Sequence, residues 1–342
     1  MAPQSLRIGT RDSQLAVWQA TLVQNLLKEA GIPSELVYIK SEGDIDTVTP
    51  LYALGVTGVF TKTLDAALLN KRIDIAVHSM KDVPTQLAEG IQQAAVLKRA
   101  SHKDILVLHP DLAERDTPFT VEFHKTTTGS GKPIHTSWTL PLREHAEKPG
   151  EPEDVVVATS SIRRIAQWLH RYPNDKVENL RGNVNTRLRK LKESNWHGAI
   201  FAAAGLERIN LRPEQSIELD WMLPAPSQGA IMVVCREGDQ QAFDACQLFN
   251  DETTALCTKI EKDFLRVLMG GCSTPISGLA EKKGNSVLFQ GNICAPDGSD
   301  LVDISIVREI QESADLGEEA AKQLLTNPRA QHIIETVRNG KR

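Results

Sequence analysis

The stretch Leu6–Gly31, "LRIGTRDSQLAVWQATLVQNLLKEAG", takes the chain through a strand, a polar turn and a helix. Leu6 and Ile8 share one face of "LRIGT". Apolar residues then recur at helical spacing, with Leu15, Trp18, Leu22 and Leu26 on one stripe and Gly31 as a stop. Next come "ELVYIK" as strand, "FTKTLDAALLNK" as helix and "IDIAVHS" as a buried strand. This alternation predicts a largely parallel sheet with helices on its faces.

A second set of the same plan follows. "DILVLH" and "DVVVATS" read as strands, "SIRRIAQWLHRY" as helix, "KVENLRG" as strand, "NVNTRLRKLKES" as helix and "GAIFAAAG" as strand. Between the first two, residues 111–153 are rich in Thr, Pro, Gly and charge without a sustained period, which predicts an inserted surface loop, partly disordered. No sequence repeat accompanies the similar plan. "IMVVCRE" then reads as an apolar strand and "DQQAFDACQLFN" as a helix. From about residue 251 the order changes to a helix, a loop containing "GGCSTPIS", two strands flanking the turn "PDGSD", and a closing helix, which makes a small α+β unit.

The chain has 342 residues, more than a single core normally holds, so two or three domains are expected. Its 41% hydrophobic and 24% charged residues are those of a globular protein. A net charge of −5 gives no global attraction to nucleic acid or to an anionic membrane, so anion binding has to rest on local clusters of Arg and Lys. The N-terminus lacks the layout of a signal peptide or presequence, no apolar run is long enough to span a bilayer, and a cytoplasmic protein is expected. Five widely spaced cysteines with no CxxC pair argue against a disulfide framework and structural zinc.

Four segments put polar residues where strands end and helices begin, the place where open α/β sheets bind ligands. They are "IGTRDSQ" with Arg11, Asp12 and Ser13; "AVHSMKDVPT" with His78, Lys81 and Asp82; "ATSSIRR" with Ser161, Arg163 and Arg164; and "NLRGNVNTRLRK" with Arg181, Asn183 and Arg187. Ser and Asp there also serve as plain helix caps. Arginines do not, because the helix dipole disfavours a cation at the N-terminus. Arg163, Arg164 and Arg181 therefore suggest an anionic ligand held by guanidinium forks and free N–H groups. Asp82 beside Lys81 can be a catalytic carboxylate or the cap of the "DVPT" turn. His78 sits in an apolar strand, as a core or supporting histidine. Neither a Ser-His-Asp order nor a metal-ligand cluster is present. Cys235, Cys246, Cys257 and Cys294 read as small hydrophobes. Cys272, between two glycines and "STPIS", can be one more of these or a reactive thiol.

Taken together, the segments "RIGTRDSQLA", "GVFTKTLDAAL", "DIAVHSMKDVPT", "ATSSIRR", "NLRGNVNTRLRKL", "AAAGLERI", "PAPSQGA" and "GGCSTPI" resemble the porphobilinogen deaminase (hydroxymethylbilane synthase) family, in family order and over nearly the whole chain. The resemblance implies an α/β fold of two similar lobes around a cleft, like the type II periplasmic binding-protein fold, plus a small α+β C-terminal domain. Lobe one would comprise 1–100 with 229–248, lobe two 101–228 including the insertion, and the third domain 249–342. It further implies a monomer that condenses four porphobilinogen units head to tail with loss of ammonia. The primer would be a dipyrromethane cofactor held as a thioether by Cys272, and water would release hydroxymethylbilane. Asp82 matches the catalytic aspartate. Lys81, Asp82, Ser161, Arg163, Arg164 and Arg187 match cofactor-binding positions; Arg11, Ser13, Lys62, Arg181, Gly182 and Gln228 match substrate-binding ones. Ala158, Ser227 and Thr57 depart from the family's Gly, Gly and Lys, and the last would remove one cationic contact. Two other readings compete: a two-lobed binding protein for carboxylated ligands without chemistry, and a thiol-dependent transferase using Cys272.

Overall fold

The computed structural model describes residues 5–40, 61–111, 122–127, 133–139, 155–214, 216–268 and 274–339. The first lobe is built from β1 (Leu6–Thr10), α1 (Gln14–Glu29), β2 (Ser34–Tyr38), α2 (Lys62–Leu69), β3 (Ile75–Ser79) and β4 (Ile91–Val96). The chain then crosses into the second lobe. There it forms β5 (Asp104–Leu108), the hairpin β6 (Glu122–Thr127) with β7 (Pro133–Thr139), β8 (Val156–Ala158) and α3 (Ile162–Arg171). β9 (Lys176–Glu178), α4 (Val184–Lys192), β10 (Gly198–Ala202), α5 (Ala203–Glu207) and β11 (Ser216–Glu218) complete it. The return crossing leads to β12 (Ile231–Arg236) and α6 (Gln240–Gln247). The last unit holds α7 (Glu252–Val267), β13 (Ile276–Lys283), β14 (Ser286–Cys294), β15 (Leu301–Glu309), α8 (Leu316–Leu324) and α9 (Pro328–Asn339).

The two lobes share one topology. The first sheet runs β2-β1-β3-β12-β4, with β1 parallel to β2 and β3 and with β12 antiparallel to its neighbours. Read from its far edge, the second sheet runs β9-β8-β10-β5-β11, with β8 parallel to β9 and β10 and with β5 antiparallel to its neighbours. In both, the antiparallel member is the strand that arrives from the other lobe. β12 is therefore a member of the first sheet, between β3 and β4.

Both sheets are covered on both faces, so their central strands are apolar throughout. Successive residues still point to opposite sides. Ile231, Val233 and Cys235 pack in one core with Ile75 and Val77, whereas Met232 and Val234 join Ala76 in the other. Leu106 and Ile200 lie on one face of the second sheet, Ile105, Val107, Ala199 and Phe201 on the other. The third unit lays its helices on the three-stranded antiparallel sheet β13-β14-β15, with Phe264 and Phe289 at its centre, 4.9 Å between ring centroids.

Several expectations need correction. The fully buried face of α1 is Gln19, Ala20, Val23 and Leu27; Leu22 and Leu26 pack at its margin and Trp18 is exposed. The helix is turned because its other flank faces the second lobe, where Asn185 donates to Gln14 at 2.8 Å. The interval 111–153, expected as a loop, contains the β6–β7 hairpin, consistent with its many Thr residues. β13 was not foreseen as a strand, and two helices close the chain instead of one. Cys235, Cys246, Cys257 and Cys294 are buried and free, and burial pushes the Cys257 thiol up to about 11.

Candidate active site

Where β3 ends, Val83 N–H donates to Met80 carbonyl and closes a single tight turn over Met80–Asp82. Met80 is buried and anchors the turn, which leaves Lys81 and Asp82 half-buried at its rim. Burial lowers the Lys81 ammonium to about 8; Asp82 and Asp104 oppose that shift and Arg164 and Arg163 add to it. Lys81 Nζ approaches Gln228 Oε1 at 3.4 Å.

On the second lobe, Ser161 stands at the N-cap of α3, and its hydroxyl makes no capping bond. Arg163 and Arg164 follow, 4% and 5% exposed. The anion facing them belongs to the protein: Asp104, the first residue of β5, is fully buried. Its Oδ2 accepts from Arg163 Nη2 at 2.7 Å; its Oδ1 accepts from Arg164 Nε at 3.1 Å and Nη2 at 2.7 Å. Two guanidinium groups on one carboxylate leave one positive charge in excess. Arg163 Nη1 also donates to Leu223 carbonyl, and Arg164 Nη1 to Ile200 carbonyl. Arg163 Nε is buried and has no partner.

Helix α4 opens on Asn183, whose side chain caps Thr186 N–H at 3.0 Å. Gly182 takes φ +114°, and a Cβ there would lie 2.7 Å from Thr186 Cγ2. Its carbonyl accepts from Arg187 Nε at 2.8 Å and so aims that guanidinium. Burial lowers Arg187 to about 10, with Arg164 and Arg181 adding to the shift and Asp82 opposing it. Arg181 is buried. The electrostatic neighbours of Arg187 and Lys81 thus join both lobes: Lys81 and Asp82 from the first, Arg163, Arg164, Arg181 and Arg187 from the second.

Gln228, fully buried on the return crossing, ties these groups together. Its Nε2 donates to Asp104 Oδ1 at 2.9 Å and to His102 carbonyl at 2.8 Å, while its Oε1 faces Lys81. Arg11 lies near His78: after burial, it is the strongest influence holding that imidazole down at about 4. Ser13 caps α1 through Ala16 N–H, the plain helix-cap role. Lys62 begins α2 and is exposed. Cys272 and Thr57 lie outside the described residues. Ser227 adopts φ +64°, a conformation natural to glycine, and Ala158 is fully buried in β8.

Three features had not been singled out from sequence. Asp104 is one. Arg208 donates to Gly229 carbonyl at 2.7 Å and lies over Trp18, with burial lowering it to about 10. Glu261 of α7 is fully buried at the junction of all three units. None of the three carries a local signal: each is an ordinary charged residue in its segment, as Asp104 is before the apolar run of "KDILVLH". Among the described residues no group of His, Cys, Asp or Glu is arranged to hold a metal ion. None of their helices is long and apolar enough to cross a membrane. The arrangement can bind several carboxylates at once and present one carboxylate, Asp82, among cations.

Residues 6–244 match the family model described as "Porphobilinogen deaminase, dipyromethane cofactor binding domain", and residues 255–326 match the "Porphobilinogen deaminase, C-terminal domain". A porphobilinogen deaminase of Acidithiobacillus ferrooxidans is 36% identical over 345 residues, covering 98% of this chain and 99% of the relative. A chloroplastic porphobilinogen deaminase of Oryza sativa is 39% identical over 309 residues, covering 88% of this chain and 77% of the relative. Among solved structures, an arginine-specific periplasmic binding protein of Salmonella typhimurium overlaps with a TM-score of 0.37 at 11% identity, covering 74% of this chain and 94% of the other.

Proposed function

The chain belongs to the porphobilinogen deaminase family, a premise from which we propose how its own residues divide the work. The activity is that of hydroxymethylbilane synthase: porphobilinogen units are condensed with loss of ammonia on a dipyrromethane cofactor, in tetrapyrrole biosynthesis. The residues present fit that cofactor. Five cations, Lys81, Arg163, Arg164, Arg181 and Arg187, outnumber the carboxylates of Asp82 and Asp104, and the partnerless Arg163 Nε adds a buried donor. When bound, the cofactor supplies a pyrrole carbon that is nucleophilic toward the next unit.

In this reading Lys81, Ser161, Arg163, Arg164 and Arg187 hold the cofactor's acetate and propionate groups. Arg11, Ser13, Lys62, Arg181, Gly182 and Gln228 line the place of the incoming porphobilinogen. Guanidinium forks fix the pyrrole rings in register, which removes orientational freedom before reaction. Asp82 accepts hydrogen bonds from pyrrole N–H groups, stabilises the positive charge that develops as ammonia leaves, and relays the proton. Cys272 is the covalent anchor. Lobe one spans 1–100 with 229–248, lobe two 101–228 and the anchor domain 249–342; the protein works as a cytoplasmic monomer without nucleic-acid or membrane partners.

The observation that carries this reading is the bridge from Lys81 on one lobe through Gln228 to Asp104 and its paired Arg163 and Arg164 on the other. The test is an intact-mass measurement of the native protein with an assay on porphobilinogen. The expected mass is the chain plus one dipyrromethane, lost together with turnover in Cys272→Ala; an active chain without adduct refutes the anchor. Asp82→Asn should keep fold and adduct and lose turnover by about 100-fold or more, and a near-normal rate removes Asp82 from its role.

A further inference from the structure

Asp104 does not face the cleft as a ligand group would; it is fully buried behind the arginines. A buried carboxylate normally persists because a cation and further donors satisfy it. Here the arrangement is lopsided: two guanidinium groups, contributing three hydrogen bonds, and the Gln228 carboxamide all converge on it. Arg163 and Arg164 are adjacent on α3, where their like charges repel and the helix dipole disfavours both. Burial alone would raise the Asp104 carboxyl, yet Arg163 and Arg164, with Gln228 and Lys81, bring it down to about 2, so it stays anionic at any working pH. Asp104 also sits at a particular place in the chain. It opens β5, the strand by which the chain enters the second lobe, and Gln228 lies on the crossing by which it leaves.

We propose that Asp104 is a positioning residue of the carboxylate seat: one buried carboxylate locks Arg163 and Arg164 side by side and ties them to Gln228 on the return crossing. The anionic groups of bound pyrroles then meet a rigid cationic pair. Arginine side chains carry large rotamer freedom, and here it is removed on folding, so little is left to lose on binding. The inference rests on the reading of this cleft as the porphobilinogen site.

The test is a double-mutant cycle in the cofactor-loaded enzyme with Asp104→Asn, Arg164→Gln and the pair, reading kcat, KM for porphobilinogen and Tm. Asp104→Asn should lower kcat/KM at least about tenfold, mainly through KM. Because Asp104 acts through both arginines, Asp104→Asn should cost markedly less in the Arg164→Gln background than in the unaltered enzyme, the remainder acting through Arg163. Losses that multiply in the double variant, or a near-normal KM in a folded Asp104→Asn enzyme, overturn the proposal. A folded Asp104→Asn chain that fails to load the cofactor supports it, since loading uses the same seat. Should Asp104→Asn not fold, Asp104→Glu keeps the charge and displaces the pair: a raised KM is expected, and an unchanged one overturns the idea. Failure of the underlying reading is distinct, because the unaltered chain would then show no turnover of porphobilinogen.

Discussion

Replacing Glu261 should loosen all three units at once. This carboxylate is fully buried and accepts four hydrogen bonds: from Arg99 Nη1 at 2.6 Å and Nη2 at 3.0 Å, from Ser227 N–H at 2.6 Å, and from Ala280 N–H at 2.7 Å. Those donors come from the outward crossing, the return crossing and β13, so a single side chain on α7 is the common partner of each. Removing one member of a buried ion pair costs about 3–5 kcal/mol, because the other charge stays behind without its partner. Each amide left without an acceptor adds about 1–3 kcal/mol. These costs overlap, and about 5 kcal/mol is expected for Glu261→Ala. At roughly 2 °C per kcal/mol, as for large chains, that is a fall in Tm of about 10 °C. Glu261→Gln keeps the volume, but it turns an NH2 group toward donors and should lose about 3 kcal/mol. Thermal unfolding gives the total, and hydrogen exchange at the Ser227 and Ala280 amides locates it. A change in Tm under about 2 °C for both variants, with those amides still protected, would refute the junction as a stabilising element.

Ser227 holds φ +64° with a buried hydroxyl that has no partner. Ser227→Gly should therefore stabilise the protein by about 1 kcal/mol in denaturant titration, the relief of left-handed strain outweighing the entropy of glycine. Gly229→Ala should do the opposite, by about 2 kcal/mol or more, since φ is +85° and the new Cβ would meet Ser101 carbonyl oxygen at 2.6 Å. His78 is held neutral down to about 4 by burial and by the charges of Arg11 and Lys262. Below its unfolded value of about 6.5 the unfolded chain takes up a proton that the folded one refuses. Its contribution to stability thus falls by up to about 3 kcal/mol as pH drops from about 6.5 to 4. His78→Leu should flatten that part of the stability–pH curve, and an unchanged slope refutes the assignment.

The alternation of strands and helices was legible because each strand in "IDIAVHS", "DILVLH" and "IMVVCRE" is buried on both faces and each break carries a polar turn. The rotation of α1 was not, because Trp18 looks like core until Arg208 of the other lobe is seen against it. β13 is not legible either, since its apolar half, "ISGLA", follows a small polar run and ends in "EKK". In the site, the arginines were legible one by one from their unfavourable place at helix starts. Their partner was not: Asp104 lies some sixty positions away in sequence, and nothing local in "KDILVLH" distinguishes a strand's first residue from a buried counter-ion.

The return crossing explains how a residue other than glycine is held at φ +64° at position 227. Leu223 carbonyl accepts from Arg163 and Gln167 of the second lobe. Pro224 carbonyl accepts from Gly278 of the third unit, and Ser227 N–H donates to Glu261 of the same unit. Gln228 reaches Lys81 on the first lobe and Asp104 on the second, and Gly229 carbonyl takes Ala100 N–H from the other crossing. With so many backbone groups fixed from three sides, φ at residue 227 is imposed by its surroundings and not chosen by its side chain. Serine is small enough to accept that conformation, at the cost of some strain. A β-branched residue is not, and Ser227→Val should lose both stability and the alignment of Gln228 with Asp104, seen as a raised KM alongside a lowered Tm.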